Sequence, residues 1–174
     1  MPTGDILPLE ALRATCMTTK TDEYIASAGL VETRDPESGS SIYRSAGFDG
    51  VPSMDDLDVK IGEALRASRE RRDLTRPDLA PMLGLTPQVY GRYERGEAKL
   101  SVTRLVHLAE ILDFSPLDVI STAAPHVMGR TIEEADIRCR LIAVMEKLPL
   151  EKAKLLLDVA ETFLATQPAR SLEK

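Results

Sequence analysis

The sequence predicts an all-α protein: a five-helix domain over residues 57–123, a flexible and partly disordered acidic segment before it, and a helical hairpin over residues 124–174. Three observations carry this. The 174 residues are 43% hydrophobic but only 4% aromatic, with no Trp, so the core is aliphatic and suits helix packing better than a sandwich. Helix-starting and helix-stopping residues are dense between Asp56 and Pro116. Apolar residues in that stretch recur at spacings of three and four.

Each element has its own warrant. In residues 1–56, Leu7 to Cys16 and Asp22 to Leu30 read as short helices. From Glu32 to Asp56 the chain is rich in Gly, Ser, Asp and Pro, which bury little, and reads as a loop or flexible linker. Asp56 or Asp58 caps a first domain helix with an inward face of Ile61, Ala64, Leu65 and Ser68. Thr75 caps a second, with Asp78 in the capping-box position, and Gly84 ends it. Pro81 lies inside that helix, where proline costs about 3 kcal/mol, so a bend or local rewinding is expected. Thr86 caps a third helix, Pro87 takes its first position and Gly96 stops it. Ser101 starts a fourth, with Val102, Leu105, Leu108, Ala109 and Leu112 as its buried stripe. Ser115 and Pro116 start a short fifth, followed by a loop from Ser121 to Arg130. Pro149 then separates two amphipathic helices, about Ile132 to Leu148 and Leu150 to Ala165, whose apolar faces are expected to pair as an αα-hairpin.

The net charge of −6 argues at first against a polyanionic partner, but its distribution reverses that. Residues 1–56 hold 4 basic and 10 acidic residues and carry the whole excess; residues 57–120 hold 10 of each, and residues 121–174 hold 8 of each. A neutral domain can still grip phosphates with cations gathered on one face. No apolar run approaches the ~20 residues that span a bilayer, and no signal peptide is visible. The two cysteines, Cys16 and Cys139, are far apart and lack ligand spacing, which points to a reduced, cytoplasmic chain. His107 and His126 have no ligand-spaced partners, so no metal or other cofactor is expected. No nucleophile with a base and no phosphate-cradling glycine loop is apparent, and an enzyme is not the reading. The arginines Arg66, Arg69, Arg71 and Arg72 are interleaved with Glu63, Glu70 and Asp73 and read as helix-surface pairs.

The third helix, Pro87 to Arg95, carries the functional signal. Tyr90 and Tyr93 face inward and Val89 is partly buried, whereas Gln88 and Arg92, four apart, share the outward face. Arg and Gln are residue types that read guanine and adenine edges, and a short polar helix on an apolar scaffold suits the major groove. Thr75-Arg76-Pro77-Asp78-Leu79-Ala80, Leu83-Gly84-Leu85-Thr86, Tyr90-Gly91-Arg92-Tyr93-Glu94-Arg95-Gly96, then Ser101-Val102, Leu105 and Leu108-Ala109 together resemble the Cro/phage-repressor (XRE-like) helix-turn-helix family. The resemblance spans Ile61 to Ile120 and implies a lambda-repressor-like domain that binds double-stranded DNA. It also implies that the helix beginning at Pro87 is the recognition helix, with Gln88 and Arg92 at base-reading positions and Arg76 at a phosphate or flanking base. By the same resemblance Thr86, Arg95 and Lys99 fall where backbone contacts are common, while Tyr93, Glu94 and Gly96 hold the domain together. The helix N-terminus from Thr86 to Val89 adds an anion site. Gly91 is read either as allowing close approach to DNA or as a tolerated helix-interior glycine.

The expected function is a sequence-specific regulator, a repressor acting as a homodimer on an inverted repeat, with the C-terminal helices as the dimer contact. The competing reading is a protein-binding module, such as an antitoxin-like autoregulator whose residues 1–56 capture a partner protein. A third role for that acidic segment is to mimic DNA charge and mask the reading face.

Overall fold

The computed structural model describes residues 19–166; the helix expected over Leu7 to Cys16 lies outside them. The described chain is mostly helical, as predicted, with one exception at its start. Helix α1, Thr19–Ser27, comes three residues earlier than the Asp22–Leu30 expectation, and Gly29 follows it at φ 62°, a conformation that favours glycine. The supposed flexible linker then contains an antiparallel hairpin of β1, Leu30–Arg34, and β2, Ser41–Ser45, in the register Leu30 to Ser45 through Arg34 to Ser41. The Asp-, Gly- and Ser-rich run read as linker is its turn. Asp35 Oδ1 accepts from the N–H groups of Glu37 at 2.8 Å and Ser38 at 3.1 Å, and Gly39 takes φ 67°.

Helix α2, Met54–Glu70, begins before the expected boundary. Ser53, rather than Asp56 or Asp58, caps it by accepting from the Asp56 N–H at 2.9 Å, and Asp55 and Asp56 occupy its positive end. Helix α3, Arg76–Met82, has the predicted capping box: Thr75 Oγ1 accepts from the Asp78 N–H, and Asp78 Oδ2 accepts from the Thr75 N–H at 2.8 Å. The helix stops one residue after Pro81. Gly84 N–H to the Pro81 carbonyl, 3.0 Å, and Leu85 N–H to the Ala80 carbonyl, 2.9 Å, close it as a Schellman turn with Gly84 at φ 67°. The proline therefore sits where the helix is already ending.

Helix α4, Pro87–Glu94, ends in a second Schellman turn, with Gly96 at φ 70°. Helix α5, Val102–Leu112, is capped by Ser101, and α6, Pro116–Ala123, follows. Leu65, Leu79, Ala80, Leu83, Tyr90, Leu105, Leu108, Leu112 and Val119 form the core among α2 to α6. Val102, expected in that stripe, is instead 78% exposed: as the first residue of α5 it precedes the turn that meets the core.

A short 3₁₀ turn, Pro125–Val127, leads to α7, Ile132–Lys147, and Pro149 separates it from α8, Leu150–Thr166. The expected pairing of their apolar faces is not observed. Ala135 is the buried residue of α7 and α8 has none, while Leu141, Val144, Leu155, Val159 and Phe163 are each about half exposed or more. Two helices of this length have too little apolar surface to close a core between themselves.

Candidate nucleic-acid interface

Helices α3 and α4 and the turn between them place the predicted residues. The turn is braced from outside: the Arg104 guanidinium of α5 donates to the Leu83 carbonyl at 2.9 Å. Behind α4, Tyr90 and Gly91 are buried and Tyr93 is half-buried. Ahead of it, Gln88 and Arg92 stand exposed one turn apart, with Val89 beside them at 38% exposure. Arg92 makes one long bond, Nη2 to the Glu97 carbonyl at 3.4 Å.

The orientation of α4 is fixed by a charge cluster that the surface-pair expectation missed. Arg69 of α2 is buried rather than on the surface, and its Nε and Nη2 donate to the buried Glu94 carboxylate at 2.6 and 3.3 Å. Arg76 of α3 donates from Nε at 2.6 Å to Glu94 Oε2, the oxygen that also accepts from Arg69 Nη2. One carboxylate thus ties three helices together. Burial pushes the Glu94 carboxyl up, but the hydrogen bonds from Arg69 and Arg76 outweigh it and hold the group below its ordinary value. Burial first, then the Glu94 charge, push the Tyr90 phenol up. The signal was present in the sequence. Arg69 follows Leu65 by four and Glu94 follows Tyr90 by four, which puts both on inward stripes where opposite charges have to pair. The other three arginines are engaged at the surface: Arg66 with Glu70, Arg71 with Ser68, and Arg72 with Leu112 and Asp113.

A second missed residue is Gly62. A Cβ there would lie 2.5 Å from the carbonyl oxygens of both Tyr93 and Glu94, so α2 packs backbone to backbone on the end of α4.

The remaining predicted contacts are arranged less freely. Arg76 keeps a third of its side chain exposed while holding Glu94. Gly91 lies under Arg76 and Arg95; a Cβ would be 3.1 Å from Arg95 Nη1 and 3.7 Å from Arg76 Cδ. Its missing side chain makes room for those arginines, so it is covered rather than presented for close approach. Arg95 is clamped by Glu97 through two 2.7 Å bonds, and Lys99 by Asp58 at 2.6 Å. The expected anion site at the α4 N-terminus is reduced. The Val89 N–H is taken by Thr86 Oγ1 at 3.3 Å and Pro87 has no N–H, which leaves Gln88. Gln88 and Arg92 therefore share one open face, whereas Arg76, Arg95 and Lys99 each hold a carboxylate.

Residues 65–119 match the Helix-turn-helix family. A Pyrococcus furiosus protein named as an HTH-type transcriptional regulatory protein is 29% identical over 97 residues, 54% of this chain and 31% of its own length. Multiprotein-bridging factor 1 of Debaryomyces hansenii is 30% identical over 70 residues, 40% of this chain and 47% of its own length. The chain thus spans less than half of each of these relatives. Among solved structures, the restriction-modification controller protein C.AhdI from Aeromonas hydrophila is 36% identical, covering 37% of this chain and 96% of that one, with a TM-score of 0.34.

Proposed function

We infer that this chain, whose residues 65–119 form a helix-turn-helix domain, is a transcriptional regulator that binds double-stranded DNA and reads it with α4. The observation that carries this is the two-sided character of that helix. Tyr90, Gly91 and Glu94 are locked into the domain, and Gln88 and Arg92 point outward with little internal engagement. A rigidly held helix with base-reading side chains on its free face suits the major groove. Arg76, Thr86, Arg95 and Lys99 border it as phosphate contacts, with Pro87 and Val89 at its leading end. The Pyrococcus furiosus relative, named for transcription regulation, favours a regulator.

In its fuller form the proposal is a repressor working as a homodimer on an inverted repeat. The exposed stripes of α7 and α8 supply the dimer surface, and two copies place two reading helices about one DNA turn apart. Selection of sites from a random duplex library, wild type beside Arg92→Ala, tests it. An enriched inverted repeat is expected, and Arg92→Ala is expected to lower affinity for it by about 1–3 kcal/mol and to blur one position of each half-site. Unchanged preference in the variant removes Arg92 as a reader.

A second reading, capture of a partner protein by the N-terminal segment, is favoured by two exposed apolar side chains, Tyr24 and Val31, at 66% and 45% exposure. Under it, Tyr24→Ser with Val31→Ser loses the captured protein in a pull-down and leaves site selection untouched.

A further inference from the structure

We propose that the turn joining β1 to β2 is an acidic guard, which competes with DNA phosphate for Lys99 and lowers the affinity of the reading face for DNA. The proposal rests on the DNA-binding reading above.

Lys99 lies three residues beyond the glycine that ends α4, on a segment seated against the start of α2. A Cβ on Gly96 would meet the Val59 nitrogen at 2.6 Å. That seating sets the Lys99 ammonium at 2.6 Å from Asp58, which anchors it. From the other side comes a carboxylate of the N-terminal hairpin, Glu37 Oε1, at 3.8 Å from the same nitrogen. The charges of Glu37 and Asp55 add to the Asp58 hydrogen bond in holding the ammonium above its ordinary value. Lys99 also contributes, after the N–H groups of Ser38 and Glu37, to holding the Asp35 carboxyl down. Lys99, a phosphate contact on the reading above, is therefore in ion-pair range of two carboxylates, and the local sum is negative. A phosphate approaching Lys99 meets more repulsion while Glu37 is in place than once Glu37 has swung away.

The turn is built to hold Glu37 there without being bound into the core. Asp35 takes the N–H groups of Glu37 and Ser38, Gly39 is left-handed, and the Asp35 N–H closes on the Ser40 carbonyl at 2.9 Å, so the shape of the turn is set locally. Yet no residue from Leu30 to Ser45 is fully buried, and the Arg44 guanidinium is spent on the Pro52 carbonyl, in the approach to α2 rather than in the core. The Glu37–Lys99 pair is itself 69% and 47% exposed, too solvated to contribute much to folding. A contact that matters little for stability but stands in the path of a polyanion is suited to release when the polyanion arrives.

The test is a set of four full-length proteins: wild type, Glu37→Gln, Lys99→Gln and the double variant. Binding is followed by fluorescence anisotropy on a labelled duplex carrying the selected site, from low to physiological salt. Glu37→Gln is expected to bind roughly two- to fivefold more tightly at low salt, with the gain shrinking as salt rises and the urea midpoint unmoved. In the Lys99→Gln background the same change is expected to have no effect. Unaltered affinity in Glu37→Gln overturns the guard. An equal gain in both backgrounds overturns the contact through Lys99. A folded wild type that binds no duplex overturns the DNA-binding reading, and the guard with it.

Discussion

Glu94 is tied to two arginines on two other helices, and removing it leaves the buried Arg69 with only the longer, half-exposed Glu70 contact at 3.4 Å. Glu94→Ala is therefore expected to destabilise the domain by about 3–5 kcal/mol in urea unfolding. The pH dependence follows from the direction of its shift. A carboxyl held below its ordinary value of 4.5 contributes fully above that value, and the contribution is lost as pH falls through it toward the lower folded value. Wild type is expected to lose stability on acidification below about pH 5 more steeply than Glu94→Gln. Glu70, Asp78 and Glu97 are shifted in the same direction, which makes the comparison with the variant the informative one. At this scale the sequence was legible where a residue's role depends on neighbours in the chain: the Thr75–Asp78 box, Thr86 as cap, and Gln88 and Arg92 on one face. It was opaque where the partner lies far along the chain. Arg104 to the Leu83 carbonyl and Lys99 to Asp58 are contacts of the folded chain that local pattern does not announce, whereas Arg69 and Glu94 each show in the spacing of their own helix as a charge on an inward stripe.

Helices α2 and α4 meet through backbone at Gly62 and Gly96, and neither contact has slack for a methyl group. Gly62→Ala is expected to push α4 outward. The cost is about 1–3 kcal/mol of stability together with weakened DNA binding, measured by urea unfolding and anisotropy on the same preparation. If stability falls and affinity per folded molecule does not, the seating of α4 on Gly62 is irrelevant to reading. Helix termini were readable because capping chemistry is local; Thr75, Thr86 and Ser101 each accept the N–H three residues on. The β-hairpin was not readable. Its strands are five residues each, and the turn residues between them outweighed Val31, Thr33, Ile42 and Tyr43 in composition.

Across the whole molecule, the apolar stripes of α7 and α8 stand open along more than thirty residues, among them Leu141, Val144, Leu155, Val159 and Phe163. An open apolar surface of that extent calls for a partner, and on the function proposed above that partner is a second copy. Val159→Asp with Phe163→Asp is expected to convert a dimer to a monomer in sedimentation velocity, with the melting of the helix-turn-helix domain unchanged. A wild type that sediments as a monomer at high concentration refutes the dimer. The sequence revealed these helices and their stripes through periodicity. It did not reveal that the stripes leave each other uncovered, because periodicity shows that a face is apolar and not what covers it.

The division of α4 into a held face and an open face bears on how such a protein changes its target over generations. Substitutions at Tyr90, Gly91 or Glu94 disturb packing, a steric fit or a buried ion cluster, whereas Gln88, Val89 and Arg92 have little to lose inside the molecule. On the function proposed above, new preferences for base sequence are reached by single replacements that the scaffold tolerates, and one framework can be retuned to many promoters without first being made more stable.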